Sequence, residues 1–274
     1  AIDCANGSAS ATAEKLFSGL GATCYLMNCT PDGTNINEKC GSTHMDGLMR
    51  FVRENKCHVG VAFDGDADRC LAVDENGMLI DGDKMIAICA KYLNEQGLLR
   101  NHTAVVTVMT NLGFTHFAKE NEINIITAKV GDRYVLEQML EGGYNLGGEQ
   151  SGHIIFLDDA TTGDGQLSAV KLLSILAKSG KKMSELASIM ERYPQVMINV
   201  KLPAQWKNAW KNDSEIESII ERLQLKLGSE GRILVRESGT EPLVRVMVEG
   251  KQFDLINQIA LEIAEKIKER CPNN

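Results

Sequence analysis

The stretch HVGVAFDGDADRCLAV, residues 58–73, sets the architecture. His58–Phe63 and Cys70–Val73 are short apolar runs of strand length, and Asp64–Arg69 is a loop between them. Asp64, Asp66 and Asp68 stand at alternate positions, spaced by Gly65 and Ala67. Three like charges so close repel one another unless a cation lies between them. Small spacers let the backbone curl until the three carboxylates converge. Hard oxygen ligands select Mg²⁺ or Ca²⁺ over soft metals. Two other readings stand beside a Mg²⁺ loop. One is a plain polar turn. The other is an EF-hand, with Asp64, Asp66, Asp68 and Glu75 at its ligand positions. The EF-hand is disfavoured because Arg69 occupies its glycine position and the flanks read as strands.

Outward from this loop the chain alternates strand and helix signals. Before it come a strand end at 1–3, a helix over 9–20, a strand over 24–28 and a helix over 43–55. After it come a hairpin turn at Glu75-Asn76-Gly77 and a strand over 78–80. A helix over 83–96 then has Asp81 or Asp83 near its N-cap. Strands are expected over 104–109, 123–127 and 153–157, with helices over 112–121, 132–141 and 164–178. Beyond Tyr193-Pro194 the texture changes to a strand over 195–201, a helix over 213–223, strands over 231–236 and 243–249, and a last amphipathic helix over 252–269. The fold class is α/β: two layered α/β domains with mixed, mostly parallel sheets, plus a small C-terminal α+β domain. The expected boundaries give segments 1–82, 83–194 and 195–274.

The 274 residues carry 29 Lys+Arg and 37 Asp+Glu, a net charge of −8. That acidity disfavours a nucleic-acid partner, since phosphate backbones select basic faces. No apolar run reaches the ~18–20 residues of a membrane span, so no membrane partner is expected. Eight scattered cysteines without a CxxC pair read as reduced thiols in a cytoplasmic protein. The chain opens AIDCANGSAS without an initiator Met, which reads as a piece of something longer.

Two further loops carry chemistry. Gly147–His153 (GGEQSGH) places glycines around Glu149 and Ser151, which can point together toward sugar hydroxyls or an amine. His153 is a candidate proton donor or acceptor, and an ordinary Gly-rich hairpin with a core His is the alternative. Arg236–Arg245 (RESGTEPLVR) joins two strands. Arg236 and Arg245 offer forked donors for phosphate, and Ser238, Gly239 and Thr240 can form an anion nest. A solvated turn is the alternative there. Arg133, in Lys129-Val130-Gly131-Asp132-Arg133, either helps hold a substrate or forms a helix-start charge pair.

Taken together, DGDADR at 64–69, GEQSGH at 148–153 and RESGTEP at 236–242 closely resemble the α-D-phosphohexomutase superfamily, over essentially the whole chain. The Gln150 and SGTEP forms, with the runs Thr161–Gly165 and Val130–Arg133, look like its phosphoglucosamine mutase branch. Phosphomannomutase/phosphoglucomutase relatives more often carry Met at the Gln150 position.

The resemblance implies interconversion of glucosamine 6-phosphate and glucosamine 1-phosphate through a phosphoserine enzyme and a 1,6-bisphosphate. The product would feed UDP-N-acetylglucosamine and cell-wall synthesis. It implies that Asp64, Asp66 and Asp68 hold Mg²⁺, that Arg69 stabilises phosphoryl oxygens and that Glu149 and Ser151 grip the sugar. His153 would serve proton transfer nearby, and Arg236, Ser238, Gly239, Thr240 and Arg245 would bind the phosphate not being transferred. The family's phosphoserine lies in a Ser-His loop of its first domain. None of the five histidines here follows a serine in that context. The chain is therefore expected to match domains two to four, to partner a missing N-terminal domain of the same protein, and to be inactive alone. A phosphomannomutase, or a non-catalytic sugar-phosphate or Ca²⁺ binder, are the alternatives.

Overall fold

The computed structural model describes residues 1–206, 209–238 and 241–272. Two expected site residues, Gly239 and Thr240, lie outside the described residues. The chain divides into two compact units, Ala1–Glu191 and Arg192–Asn274.

The first unit holds two mixed sheets. Its leading elements are β1 (Ile2–Asp3), α1 (Ala13–Gly19), β2 (Leu26–Met27), α2 (Asp46–Glu54), β3 (Val59–Phe63), β4 (Cys70–Asp74) and β5 (Leu79–Ile80). They form a sheet in the order β2-β1-β3-β4-β5, parallel at β2-β1-β3 and antiparallel at β3-β4-β5. Next come α3 (Gly82–Glu95), β6 (Thr103–Thr107), α4 (Leu112–Glu120), β7 (Asn124–Ala128), α5 (Asp132–Gly142), β8 (Leu146–Gly148), β9 (Ile154–Phe156), α6 (Gly165–Ser179) and α7 (Met183–Ala187). Their strands form a second sheet, β7-β6-β8-β9, with only the β8-β9 pair antiparallel.

Helix α3 is buried on nearly every side, from Met85 through Ala90. Its apolar run IAICA leaves no polar face, so it packs within one core with residues of both sheets and of α6. The Asp81 carboxylate accepts from Lys84 N–H at 3.1 Å and caps it. Asp164 caps α6 through Leu167 N–H at 2.9 Å. Gly143 (φ 68°) and Gly180 (φ 65°) end α5 and α6 in the left-handed region that glycine adopts freely.

The second unit contains β10 (Gln195–Lys201), α8 (Ser214–Leu227), β11 (Gly231–Glu237), β12 (Leu243–Gly250) and α9 (Phe253–Arg270). Its sheet is β10-β12-β11, antiparallel throughout. Alternate residues Val244, Val246 and Val248 bury against Ile216, Ile219 and Leu223 of α8 and the Ile256–Ile267 face of α9. Burying each such side chain stabilises by about 1.5–3 kcal/mol.

Some elements differ from the sequence expectation. Residues 9–20 form a short 3-10 turn at Ser8–Ala11 and then α1. Helix α8 runs on to Leu227, because Leu227 continues its buried stripe four residues after Leu223. Strand β8 and helix α7 are absent from the sequence reading. LGG has no strand propensity, and it is extended because β6 and β9 flank it. Helix α7 has only five residues, and its first turn is held by a distant acid, Glu75.

Candidate functional site

The carboxylate loop leaves β3 at Phe63 and turns sharply. Ala67 N–H donates to Asp64 O at 3.2 Å, and Ala67 adopts φ 60°, a left-handed conformation costly for an alanine. Arg69 N–H donates to Asp64 Oδ1 at 3.1 Å. The result brings one carboxylate oxygen each from Asp64, Asp66 and Asp68 within 4.8 Å of one another. Burial, and then the charges of Asp68 and Asp66, push the Asp64 carboxyl up to about 6. Asp68 Oδ1 is buried with no hydrogen-bond partner. Three converging carboxylates, faced by the single cation of Arg69 and including an oxygen without a hydrogen bond, fit a hard divalent cation, Mg²⁺ included. Arg69 Nε lies 3.8 Å from Asp64 and 3.7 Å from Asp68, with the side chain 43% exposed, so its guanidinium reaches solvent beside the cluster. Glu75 does not join these acids. Both its oxygens accept from Ser184, one from N–H at 3.1 Å and the other from Oγ. With β3 and β4 flanking the loop, the EF-hand reading fails.

The Gly-Glu loop is a tight turn between β8 and β9. Glu149 N–H donates to His153 O at 2.9 Å and Gly152 N–H to Glu149 O at 3.0 Å. Gly152 has φ 94°, and a Cβ there would lie 2.3 Å from Cys70 O. That close approach lets Cys70 N–H donate to Gly152 O at 3.0 Å, beside an antiparallel bridge between Arg69 and His153. The carboxylate loop and the Gly-Glu loop are thus joined directly by backbone. A third loop closes the group, since Gly165 N–H donates to Ala67 O at 2.9 Å.

Each expected residue of the Gly-Glu loop has a defined setting. Glu149 Oε1 accepts from Gly131 N–H at 2.9 Å, at the N-terminus of α5, where a negative charge is favourable. Ser151 is exposed at the tip of the turn. His153 is 3% exposed. Its Nδ1 lies 3.1 Å from Asp68 Oδ2, and its Nε2 accepts from Gly163 N–H at 3.2 Å. Both ring nitrogens are therefore within hydrogen-bond distance of a partner. Arg133 is 82% exposed and pairs with Glu137 one turn on, at 2.9 Å.

Asp83 escaped the sequence reading as a site residue. It is fully buried and accepts from Asn111 N–H at 2.8 Å and Gln150 Nε2 at 3.1 Å. Gly82 N–H adds a bond to Gln150 O at 3.0 Å. The start of α3 therefore grips Gln150 by side chain and backbone together. The only local sign was an acid at a helix start, which reads equally as a cap.

In the second unit, Arg236 and Arg245 are direct partners in the β11–β12 ladder. Like charges opposed across a ladder destabilise it unless an anion lies between them. Burial and the Arg245 charge lower the Arg236 pKa from its ordinary value. Arg245 Nη2 donates weakly to Ser238 Oγ and Glu241 Oε2, both at 3.4 Å, and its Nε is buried without a partner. Ser238 N–H is committed to Leu243 O at 2.9 Å. This turn holds under-used guanidinium donors, suited to a phosphate.

These features define an α/β protein with a convergent carboxylate loop and a two-arginine turn. Family models for "Phosphoglucomutase/phosphomannomutase" match consecutively: alpha/beta/alpha domain II over residues 1–77, alpha/beta/alpha domain III over 81–193 and the C-terminal domain over 197–266. The chain belongs to this phosphohexomutase family. It is 56% identical over 269 residues to a phosphoglucosamine mutase of Thermoanaerobacter sp. (strain X514), and 53% identical over 271 residues to one of Clostridium perfringens (strain SM101 / Type A). These matches cover 98% and 99% of this chain and 60% of each relative, so the chain spans about 60% of the length of the curated relatives it matches. Among solved structures it resembles a phosphoglucomutase/phosphomannomutase family protein from Burkholderia thailandensis, with a TM-score of 0.84 at 23% identity over 99% of this chain and 60% of that one. It also resembles Aspergillus fumigatus N-acetylphosphoglucosamine mutase in complex with GlcNAc-6P and magnesium. That TM-score is 0.80 at 20% identity, over 98% of this chain and 61% of that one. Among the described residues, no helix is long and apolar enough to cross a membrane, and all eight cysteines are free.

Proposed function

We propose that this chain supplies the metal-, sugar- and phosphate-binding parts of a cytoplasmic phosphoglucosamine mutase, which interconverts glucosamine 6-phosphate and glucosamine 1-phosphate through a phosphoserine enzyme and a 1,6-bisphosphate. The observation that carries it is the direct joining of the carboxylate loop to the GEQSGH loop at Arg69–His153 and Cys70–Gly152. Relatives at 53–56% identity bear the phosphoglucosamine mutase name.

Asp64, Asp66 and Asp68 would hold Mg²⁺, which when bound neutralises charge on the transferring phosphoryl group. Arg69 donates from the rim of the cluster to phosphoryl oxygens. Glu149, oriented by Gly131, and the exposed Ser151 grip sugar hydroxyls. Arg236, Arg245 and Ser238, with Gly239 and Thr240 beside them in sequence, bind the phosphate that stays on the sugar. A cradle of several donors suits a ligand that must be accepted in two orientations. The phosphoryl-bearing serine belongs to the full-length enzyme, outside the three motifs present here.

The test is a coupled assay of the full-length protein on glucosamine 6-phosphate, mannose 1-phosphate and glucose 1-phosphate. A higher kcat/KM for the glucosamine phosphate is expected. A clear preference for mannose 1-phosphate would sink the glucosamine assignment and favour the phosphomannomutase reading.

A further inference from the structure

We infer that Asn6 is a positioning residue for the carboxylate loop: it ties together a brace that grips Gly65, between Asp64 and Asp66, and keeps the three carboxylates converged. The inference rests on the metal-binding reading of Asp64, Asp66 and Asp68.

Between β2 and the turn at Gly41–Thr43, residues 28–40 run without helix or strand. A connection of that length keeps one shape only when other parts of the chain tie it down. The ties come from Asp3, Ala5 and Asn6. Asn6 N–H donates to Asn28 O at 2.6 Å, Asn6 Oδ1 accepts from Thr30 N–H at 3.2 Å, and Asn6 Nδ2 donates more weakly to Asn35 O at 3.5 Å. Ala5 O accepts from Asn37 N–H at 2.9 Å. The buried Asp3 carboxylate accepts from Ala5 N–H at 2.9 Å and from Gly41 N–H at 3.0 Å. These bonds require a sharp bend, with φ 54° at Ala5 and φ 47° at Asn6. Successive non-glycine residues in the left-handed region are strained, and such strain persists only where the surrounding bonds over-determine it.

The bend brings two contacts to Gly65. Its carbonyl accepts from Ser8 N–H at 2.9 Å, and Gly7 approaches so closely that a Cβ there would lie 2.2 Å from the same oxygen. Its α-carbon faces the tied segment, since a Cβ on Gly65 would lie 2.7 Å from Ile36 Cδ1 and 2.8 Å from Asn37 Nδ2. Asn6 stands at the junction, next to Gly7 in the chain and bonded to the segment that carries Ile36 and Asn37. Three carboxylates repel one another before a cation arrives, and the glycine between two of them is the point at which the loop opens most easily. The brace removes that freedom in advance, so cation binding does not have to order the loop.

The experiment uses the full-length protein with Mn²⁺ as the cation probe, its affinity followed by electron paramagnetic resonance and competition with Mg²⁺. Asn6→Gly keeps the left-handed backbone, which glycine adopts freely, and removes only the side-chain bonds. Ser8→Pro removes the N–H that grips Gly65; Gly7 is already extended (φ −109°, ψ −159°), as proline requires of the residue before it. Each substitution should weaken Mn²⁺ about tenfold, the order lost when outer supports of a metal ligand are removed. Turnover of Asn6→Gly should return as Mg²⁺ is raised to saturation. In the metal-free variants, amide exchange should accelerate at Ala67, whose N–H closes the carboxylate turn onto Asp64 O, as well as along 28–41. Parental Mn²⁺ affinity in a folded Asn6→Gly, a turnover loss that excess Mg²⁺ does not recover, or faster exchange confined to 28–41 would each overturn the inference. Failure of the unaltered protein to bind Mn²⁺ would instead overturn the metal reading, with exchange at Ala67 still deciding the brace.

Discussion

Gln150 Nε2 donates to the fully buried carboxylate of Asp83 at 3.1 Å, across 67 residues of chain. The Gly-Glu loop therefore hangs from the start of α3. Removing one partner of a buried charged hydrogen bond costs about 1.5–3 kcal/mol. Gln150→Ala should lower unfolding stability by that order. It should also raise KM for the sugar phosphate more than it lowers kcat, because Glu149 and Ser151 flank Gln150. Denaturant unfolding and steady-state kinetics of the full-length protein check both; an unchanged KM would separate Gln150 from substrate positioning.

Glycine at 82 is a steric requirement. A Cβ there would sit 2.1 Å from Glu149 O. Gly82→Ala should force the α3 start away from the Gly-Glu loop, at about 1–3 kcal/mol. At Gly19, in α1, a Cβ meets nothing within 4 Å, so Gly19→Ala should be neutral or stabilising by about 0.5–1 kcal/mol. Thermal unfolding of the pair makes the comparison; similar losses at both positions would contradict it.

The Asp64 carboxyl is pushed up to about 6, chiefly by burial and then by Asp68 and Asp66. An ordinary aspartate titrates near 4, so between about pH 4 and 6 the metal-free folded state binds a proton that the unfolded state has released. This contribution is fully present below about pH 4 and is lost as pH rises through 6. A cation must displace that proton, so Mg²⁺ should bind weakly at pH 5 and more tightly by pH 7. Mg²⁺-induced shifts in melting temperature at the two pH values test this; equal shifts would refute it.

Arg236 and Arg245 oppose each other with no carboxylate directly across from either. Arg236→Met relieves the repulsion and keeps the apolar stem, so stability should change by less than about 0.5 kcal/mol. Affinity for inorganic phosphate should fall about tenfold or more, equivalent to about 1.4 kcal/mol. Calorimetric titration with phosphate reads the loss, and undiminished affinity would remove this turn from phosphate binding.

Glu149 accepts from Gly131 N–H at the start of α5. Glu149→Gln keeps an acceptor and removes the charge, so α5 should lose about 0.3–1 kcal/mol. Hydrogen exchange at Gly131 and through the first turn of α5 should accelerate, and unchanged protection there would deny that the carboxylate holds this loop.

Local chemistry made the carboxylate loop, the Gly-Glu loop and the two-arginine turn visible as motifs, since each is a short run whose residue types act together. Helices and strands with clear periodicity, such as β10, β12 and α9, were legible for the same reason. Strand β8 was not, because Leu146-Gly147-Gly148 becomes extended only between β6 and β9. Asp83 looked like a cap, and Glu75 like a twelfth-position calcium ligand, until the fold sent one to Gln150 and the other to Ser184.

The amino-acid sequence by itself determined the α/β alternation, the acidic and basic loops and the family they mark. Spacing within a few residues dictates local conformation and which side chains can act together. Tertiary structure decided which loop holds which. Asp68 meets His153 across 85 residues, and Glu149 meets Gly131 across 18. Such partners share no period and no local signature. They meet because buried carboxylates and ring nitrogens must find hydrogen-bond partners wherever the folded backbone brings them.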